Sequence, residues 1–148
     1  MAFQFPLQTV LRLRQNLERQ QELLLYQANQ EVLGVARQIA EVDAGMTENA
    51  QHRSRQLQAG VTGAELHFDL LCKTMLMRAR DDLQRRLVQA QSARDCQAEC
   101  FRRARQQREV IETLRHHQLQ LYRQHEGRQD QRRADDLFLL RRTHPRSS

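Results

Sequence analysis

A narrow apolar stripe near the start of the chain constrains the fold more than any other feature. Steps of alternately four and three residues from Phe3 reach an apolar side chain at eleven of thirteen positions. An α-helix brings such positions onto one side, where they suit packing against a second helix. We call this stripe the first seam. Its positions are Phe3, Leu7, Val10, Arg14, Leu17, Gln21, Leu24, Ala28, Val32, Val35, Ile39, Val42 and Met46.

The stripe also takes two consecutive steps of four, through Leu24, Ala28 and Val32. Such a stutter locally unwinds the left-handed supercoil of a coiled coil. The first seam therefore predicts one strand of a coiled coil, and the rest of the chain has to supply its partner.

The segment Gly60-Val-Thr-Gly63 is the strongest helix breaker inside the chain, and a new helical pattern follows it. A loop this short makes the two flanking helices antiparallel neighbours. Pro6 suits the first turn of the first helix. The sequence predicts one elongated coiled-coil domain over residues 1–148. Its expected parts are helix one at about 6–58, a reversal at about 59–64, helix two at about 65–141 and a disordered tail at 143–148.

The apolar pattern of helix two is rougher, with polar side chains at Arg94, Gln97 and Arg108 where a seam would pass. The apolar positions assigned to this helix are Phe68, Cys72, Met75, Ala79, Leu83, Leu87, Ala90, Phe101, Ala104, Ile111, Leu114, Leu121, Leu137 and Leu140. Helix two is about twenty residues longer than helix one, so roughly 30 Å of it would lack a partner at 1.5 Å per residue.

Composition supports an all-α class. Trp is absent, aromatic residues make up 5% of the chain, and five Gly and two Pro leave long runs free of helix breakers. The expected fold is a long antiparallel two-helix coiled coil, a helical hairpin whose second helix is the longer.

Three common enzyme motifs do not occur in the chain: a Gly-rich phosphate loop, a nucleophile elbow and the H-E-x-x-H pattern. A two-helix fold also offers no concave pocket. We therefore expect no enzyme activity and no cofactor.

Two groups of potential metal ligands are incomplete. Cys96 and Cys100 share a helical face, and His116, His117 and His125 are close in sequence, but zinc requires four ligands, or three and a water. We expect no metal site. Three cysteines without a secretory signal indicate free thiols in a reducing cytosol, and no apolar run is long enough to span a bilayer.

The positive charge of the chain is concentrated in its second half. Residues 1–74 carry seven basic and eight acidic side chains, and residues 75–148 carry seventeen and ten. Arg102, Arg103, Arg105 and Arg108 could contact phosphates, but aromatic side chains for base stacking are missing nearby except for Phe101. We expect these arginines to lie on a solvated helical face, and nucleic-acid binding is kept as an alternative function.

Four apolar residues, Phe68, Met75, Leu76 and Met77, follow the reversal within ten positions. One seam cannot bury all of them. Two interpretations stay open here: a thicker, bundle-like core, or an adaptable apolar surface for a partner, which methionine suits.

Both termini resemble a known family. The N-terminal pattern Phe3-x-Phe5-x-Leu7-x-x-Val10-Leu11-x-x-Arg14 is followed by Glu18, and the C-terminal pattern is Asp130-Gln131-Arg132-Arg133-Ala134-Asp135-Asp136-Leu137. Together they resemble the flagellar FliJ family, with the C-terminal octad the more specific of the two. The ends would also suit the related stalk proteins of virulence-type secretion systems.

The resemblance implies a non-enzymatic, cytoplasmic component of the flagellar type III protein export apparatus, and so a role in flagellum biogenesis and motility. Proteins of that family resemble the central-stalk helices of rotary ATPases. The implied partners are the hexameric export ATPase, whose assembly and activity the protein would promote, the cytoplasmic domain of the membrane export gate, and export chaperones. The protein would lie at the inner membrane through these partners, without inserting into it.

The resemblance also implies two sets of partner-binding residues. The ATPase-facing set is Gln131, Arg132, Arg133, Asp135, Asp136 and Leu137. The export-gate set is Gln38, Val42, Leu76 and Ala79. For Val42 and Ala79, the alternative is that they pack in the seam between the helices. An export chaperone or adaptor that captures helical clients is the alternative function.

Overall fold

The computed structural model describes residues 2–143, which form two helices and no strand. Helix α1 spans Gln8–Ala59 and helix α2 spans Gly63–Thr143. The prediction of an all-α fold with a longer second helix is confirmed. The predicted tail at 143–148 lies outside the described residues except for Thr143, which is the last residue of α2. The described part of the chain divides into two compact units.

The reversal between the helices depends on one glycine and one capping box. Gly60 follows α1 with φ of 88°, a left-handed conformation that side chains disfavour. Thr62 Oγ1 accepts the Glu65 N–H at 3.3 Å, and Glu65 Oε2 accepts the Thr62 N–H at 3.2 Å. These reciprocal bonds satisfy two backbone donors at the start of α2. Three residues therefore suffice to end one helix and begin the next.

Residues 19–102 form the unit that contains this reversal, which we call the hairpin unit. Its helices are antiparallel, because Glu31 pairs with Arg86 at 2.9 Å and the later Asp43 pairs with the earlier Arg80 at 2.6 Å. Polar residues of the two seams also meet: Gln97 Nε2 donates to Gln21 Oε1 at 2.5 Å.

Residues 2–18 and 103–143 form the terminal unit. Here Leu11 is only 1% exposed, and Arg14 Nη1 donates to Gln107 Oε1 at 2.6 Å. The Phe3 and Tyr122 rings lie 5.5 Å apart between centroids at an interplanar angle of 50°. The beginning of the chain is thus antiparallel to α2 within this unit, as predicted.

An ion-pair network crosses the terminal unit. The guanidinium of Arg108 pairs with the carboxylates of Glu18 on α1 and Glu112 on α2, and Glu109 lies 3.7 Å from it. Arg108 and Glu18 are less than one-fifth exposed. The hydrogen bond to Glu18 raises the pKa of Arg108 above its ordinary value, with a further contribution from the charge of Glu112, so the guanidinium stays charged.

The first seam is predicted well. Twelve of its thirteen positions are buried or half-buried, including the polar Arg14 and Gln21. The exception is Leu24, which is exposed, while the neighbouring Leu25 is half-buried. This shift from Leu24 to Leu25 falls at the predicted stutter, where consecutive steps of four rotate the stripe around the helix.

The seam of α2 is predicted less well. Arg94, Gln97 and Arg108 are half-buried, as expected. Half of the apolar positions assigned to this helix are instead exposed: Phe68, Met75, Ala79, Leu114, Leu121, Leu137 and Leu140. The buried face near the reversal runs through Leu66, Asp69, Cys72, Leu76 and Arg80. Because two of these are charged, the apolar pattern alone pointed to the wrong stripe.

Replacing Gly60 by Ala should destabilise the hairpin unit by about 1–2 kcal/mol, because an added Cβ is strained at this positive φ. Urea unfolding followed by circular dichroism measures the change.

Gly45→Ala is the matched control within the same unit. Its Cβ would meet Leu76 Cδ2 at an ordinary 3.9 Å, and a helical Ala gains about 0.5–1 kcal/mol over Gly. Equal effects of the two substitutions would contradict the conformational argument.

Replacing Arg108 by Ala should destabilise the protein by about 2–3 kcal/mol, because it leaves the largely buried Glu18 carboxylate without its partner. The double variant Glu18→Leu with Arg108→Leu should recover most of this loss, since no buried charge remains unpaired. Thermal and urea unfolding test both variants. A double variant as unstable as the single one would show that packing of the Arg108 stem, rather than charge pairing, accounts for the loss.

Candidate partner-binding surfaces

The last part of α2 has no buried or half-buried residue. From Gly127 to Thr143 every side chain is exposed. The last half-buried positions are Tyr122 and Glu126, which hydrogen-bond to each other. This bond raises the pKa of the Tyr122 phenol above its ordinary value, with a smaller contribution from desolvation. We call residues 127–143 the exposed segment.

The predicted ATPase-facing residues all lie on the exposed segment. Gln131 Nε2 donates to Asp135 Oδ1 at 3.3 Å, and Arg133 lies 3.8 Å from Asp130. Such exposed pairs along one helix contribute only a few tenths of a kcal/mol. Arg132 and Asp136 form no hydrogen bond or ion pair with any residue in 2–143. Their charged groups are accordingly available to a partner.

Four consecutive apolar residues lie near the end of this segment, and each is 55–65% exposed: Leu137, Phe138, Leu139 and Leu140. We call them the apolar turn. Successive helical residues point about 100° apart, so these side chains surround the helix. A shallow depression beside them is lined by Asp136, Leu139, Leu140 and Thr143.

Of this apolar turn, sequence reasoning assigned only Leu137 to a partner. Phe138 and Leu139 were missed, and Leu140 was assigned to the seam. Four large apolar residues in a row exceed what one narrow seam can bury, and that run was the available evidence in the sequence.

The predicted export-gate residues lie in one stretch of the hairpin unit, where Gly45 approaches Leu76. Gln38 and Ala79 are exposed, whereas Val42 and Leu76 are half-buried. Ala79 is therefore on the surface, and Val42 and Leu76 contribute to the packing between the helices as well as to the surface.

A further exposed stripe lies on α2 near the reversal. Phe68 is 66% and Met75 70% exposed, and Leu71 lies between them at helical spacing. Met77 is also exposed, while Leu76 is half-buried. The interpretation of this region as a thicker core is wrong for Phe68, Met75 and Met77, which leaves an apolar surface.

The arginines considered for phosphate binding have carboxylate partners. Arg102 pairs with Glu99 at 2.5 Å and Arg105 with Glu109 at 3.0 Å. Arg108 is held in its network, and Arg103 also has an interaction partner. These contacts favour the prediction of a solvated helical face over a phosphate-binding surface.

Cys96 and Cys100 are exposed and Cys72 is half-buried, all as free thiols. Among residues 2–143, no group of three or more His, Cys, Asp or Glu side chains has an arrangement suited to a metal ion. Within the same range, neither helix contains a stretch with the length and apolar character of a membrane span.

Comparison with known families shows which family the chain belongs to. The sequence profile described as flagellar FliJ protein matches residues 3–147. The chain belongs to the flagellar FliJ family. This match confirms the resemblance seen at the two termini and extends it over almost the whole chain. Membership of the FliJ family implies a role related to flagellar export. No curated protein and no solved structure gives a significant match.

Proposed function

We propose that this FliJ-family chain is a non-enzymatic, central-stalk-like coiled coil of the flagellar type III export apparatus. It binds the hexameric export ATPase, promotes its assembly and activity, and links it to the cytoplasmic domain of the membrane export gate. It acts in the cytoplasm, held at the inner membrane at the flagellar base by these partners. The observation that carries the proposal is the exposed segment, a helix without intramolecular packing that ends in an apolar turn.

The exposed segment has the composition of a protein-binding helix. Its apolar turn at residues 137–140 supplies area that is removed from water on binding, which favours association roughly in proportion to the apolar area covered. Arg132 and Asp136 stand one helical turn apart and lack partners within residues 2–143, so both can pair with charges on the ATPase. Leu137 joins this polar face to the apolar turn.

Gln38, Val42, Leu76 and Ala79 form the proposed gate contact in the hairpin unit. Gln38 and Ala79 are exposed and could be covered by a partner without disturbing the fold. The half-buried Val42 and Leu76 position this surface through their packing.

The alternative function is that of an adaptor for export chaperones or helical clients. It is favoured by the exposed stripe of Phe68, Leu71 and Met75, whose spacing matches the groove-binding face of a helix. A variant with Phe68→Ala and Met75→Ala that loses a chaperone but stimulates the ATPase normally would favour this alternative.

The double variant Arg132→Glu with Arg133→Glu should weaken association with the export ATPase at least tenfold, because two attractive contacts become repulsive. Leu137→Ala with Leu140→Ala should have a similar effect through lost apolar area. Both variants should keep the helicity and the unfolding midpoint, since all four side chains are exposed. Binding and steady-state ATP hydrolysis are measured with the purified ATPase.

The matched control is Arg78→Glu with Arg85→Glu, which makes the same change in charge at exposed positions of the hairpin unit. Stimulation and binding should be unchanged in this control. If the variants at 132 and 133 bind like the natural chain at moderate salt, the ATPase contact lies elsewhere.

For the gate contact, Gln38→Ala and Ala79→Glu should weaken binding to the cytoplasmic gate domain without changing thermal stability, because both positions are exposed. Val42→Ala and Leu76→Ala should lower stability as well, by about 1–2 kcal/mol for half-buried side chains. Pull-down with the gate domain and thermal unfolding separate the two effects. Unaltered binding in the Gln38 and Ala79 variants would exclude this surface.

A further inference from the structure

The outer side of α1 carries large apolar side chains that face away from α2. Tyr26 is 60% and Leu33 56% exposed. They are seven residues apart, so the helix brings them to within about 20° of each other. Val35 of the first seam is only 2% exposed, and its nine-residue separation from Tyr26 places it about half a turn around the helix. Tyr26 and Leu33 therefore belong to a side of α1 that the contact with α2 does not cover.

A charged residue stands about one turn beyond each end of this apolar pair, and the two charges are opposite. Glu22 precedes Tyr26 by four residues and Arg37 follows Leu33 by four, and both are exposed. Neither forms an ion pair or a side-chain hydrogen bond with another described residue, whereas Glu31 of the same helix pairs across the contact with α2. We call Glu22, Tyr26, Leu33 and Arg37 the outer stripe.

The outer stripe is its own complement when it is read in the opposite direction. Two antiparallel copies that share the midpoint of the stripe place Tyr26 of each copy opposite Leu33 of the other, and Glu22 opposite Arg37. All four positions lie within about 30° of the centre line of the stripe, as a and d residues do in a coiled coil. A two-fold symmetric contact requires such a surface, because the same residues have to serve both copies.

We propose that the outer stripe binds a second copy of this chain in an antiparallel, two-fold symmetric contact. On each side of the symmetry axis Tyr26 packs against Leu33 of the second copy. At each end the Glu22 carboxylate accepts hydrogen bonds from the Arg37 guanidinium of the second copy. Leu23, which is 57% exposed, borders the stripe and adds apolar area. The inference goes beyond the proposed function, because it requires neither the ATPase contact nor the gate contact.

Charge selects this arrangement over two alternatives. A parallel pair would place Glu22 beside Glu22, and Arg37 beside Arg37, of the second copy. An antiparallel pair shifted so that Leu23 faces Leu33 would place Arg19 opposite Arg37. Like charges repel across such a contact, whereas the proposed alignment joins opposite charges at both ends.

The contact is small, which sets the strength of the association. The outer stripe runs from residue 22 to residue 37, or about 24 Å at 1.5 Å per residue, and contains two apolar layers. Small interfaces belong to weak, transient complexes. Exposed ion pairs add specificity more than affinity, and salt screens them. We therefore expect a reversible dimer whose population rises with concentration and falls with salt.

Two other surfaces of the chain compete as sites of self-association. They are the apolar turn at residues 137–140 and the exposed stripe of Phe68, Leu71 and Met75. Association through either surface would not depend on the charges of Glu22 and Arg37. The experiment therefore changes charge at the outer stripe and leaves the apolar area of the other surfaces intact.

The test is sedimentation velocity of the full chain and its variants, from about 10 µM to about 1 mM. The natural chain should form a reversible dimer. Glu22→Arg and Arg37→Glu should each weaken association about tenfold or more, because each substitution creates like-charge contacts at both ends of the pair. The double variant Glu22→Arg with Arg37→Glu should recover association, since opposite charges meet again.

An equimolar mixture of the two single variants gives a second test. Opposite charges meet at both ends of the mixed pair, so the mixture should associate although neither variant does so alone. Glu48→Arg and Arg55→Glu are the matched controls, because they make the same changes at exposed positions of α1 outside the stripe. Both controls should associate like the natural chain. All of these variants should keep the unfolding midpoint at low concentration, since the positions are exposed.

Three results would overturn the proposal. The first is a natural chain that stays monomeric up to about 1 mM. The second is single variants that associate as strongly as the natural chain, which would assign the association to the apolar turn or to the stripe at Phe68. The third is a double variant as weak as the single variants, because the two charges would then not face each other.

Discussion

Two apolar seams would pack almost equally well after a shift by one heptad, so polar residues within the seams have to fix which residues face each other. In the hairpin unit the amides of Gln21 and Gln97 meet. In the terminal unit the Arg108 guanidinium meets the Glu18 carboxylate. A shift would leave each of these half-buried groups without a partner, at a greater cost than an altered apolar contact. The remaining surfaces of the molecule follow from the alignment that these pairs impose.

One such surface is the exposed segment. Helix α2 has 81 residues and α1 has 52, so a fixed alignment necessarily leaves part of α2 without a partner. The apolar turn at 137–140 falls in that part and cannot be covered by α1. The same alignment turns Phe68 and Met75 outward while Asp69 is buried. Apart from Val42 and Leu76, the proposed binding surfaces of this FliJ-family chain are thus residues that do not pack between the helices.

The sequence was sufficient to predict the two helices, the reversal after Gly60 and nearly all of the first seam, because apolar spacing is regular there. It failed for α2 near the reversal, where Asp69 and Arg80 occupy the buried face and apolar residues lie outside it. Charged residues do not add to an apolar repeat, so the repeat cannot show that they face the other helix. Only the residues that they contact across the helix pair could show this. For the ATPase-facing and gate-facing residues, the family resemblance suggested positions, and the structure adds which of those side chains are accessible.

The apolar turn of the exposed segment also has a consequence for the quantity of this protein that a cell can hold. Any copy without its partner presents four large apolar side chains to water, and such a surface favours self-association as concentration rises. Copies produced in excess of their binding sites are then the ones at risk of aggregation. Under the proposed function, the ratio of this chain to its partner therefore sets how much of the apolar surface at residues 137–140 is left in water.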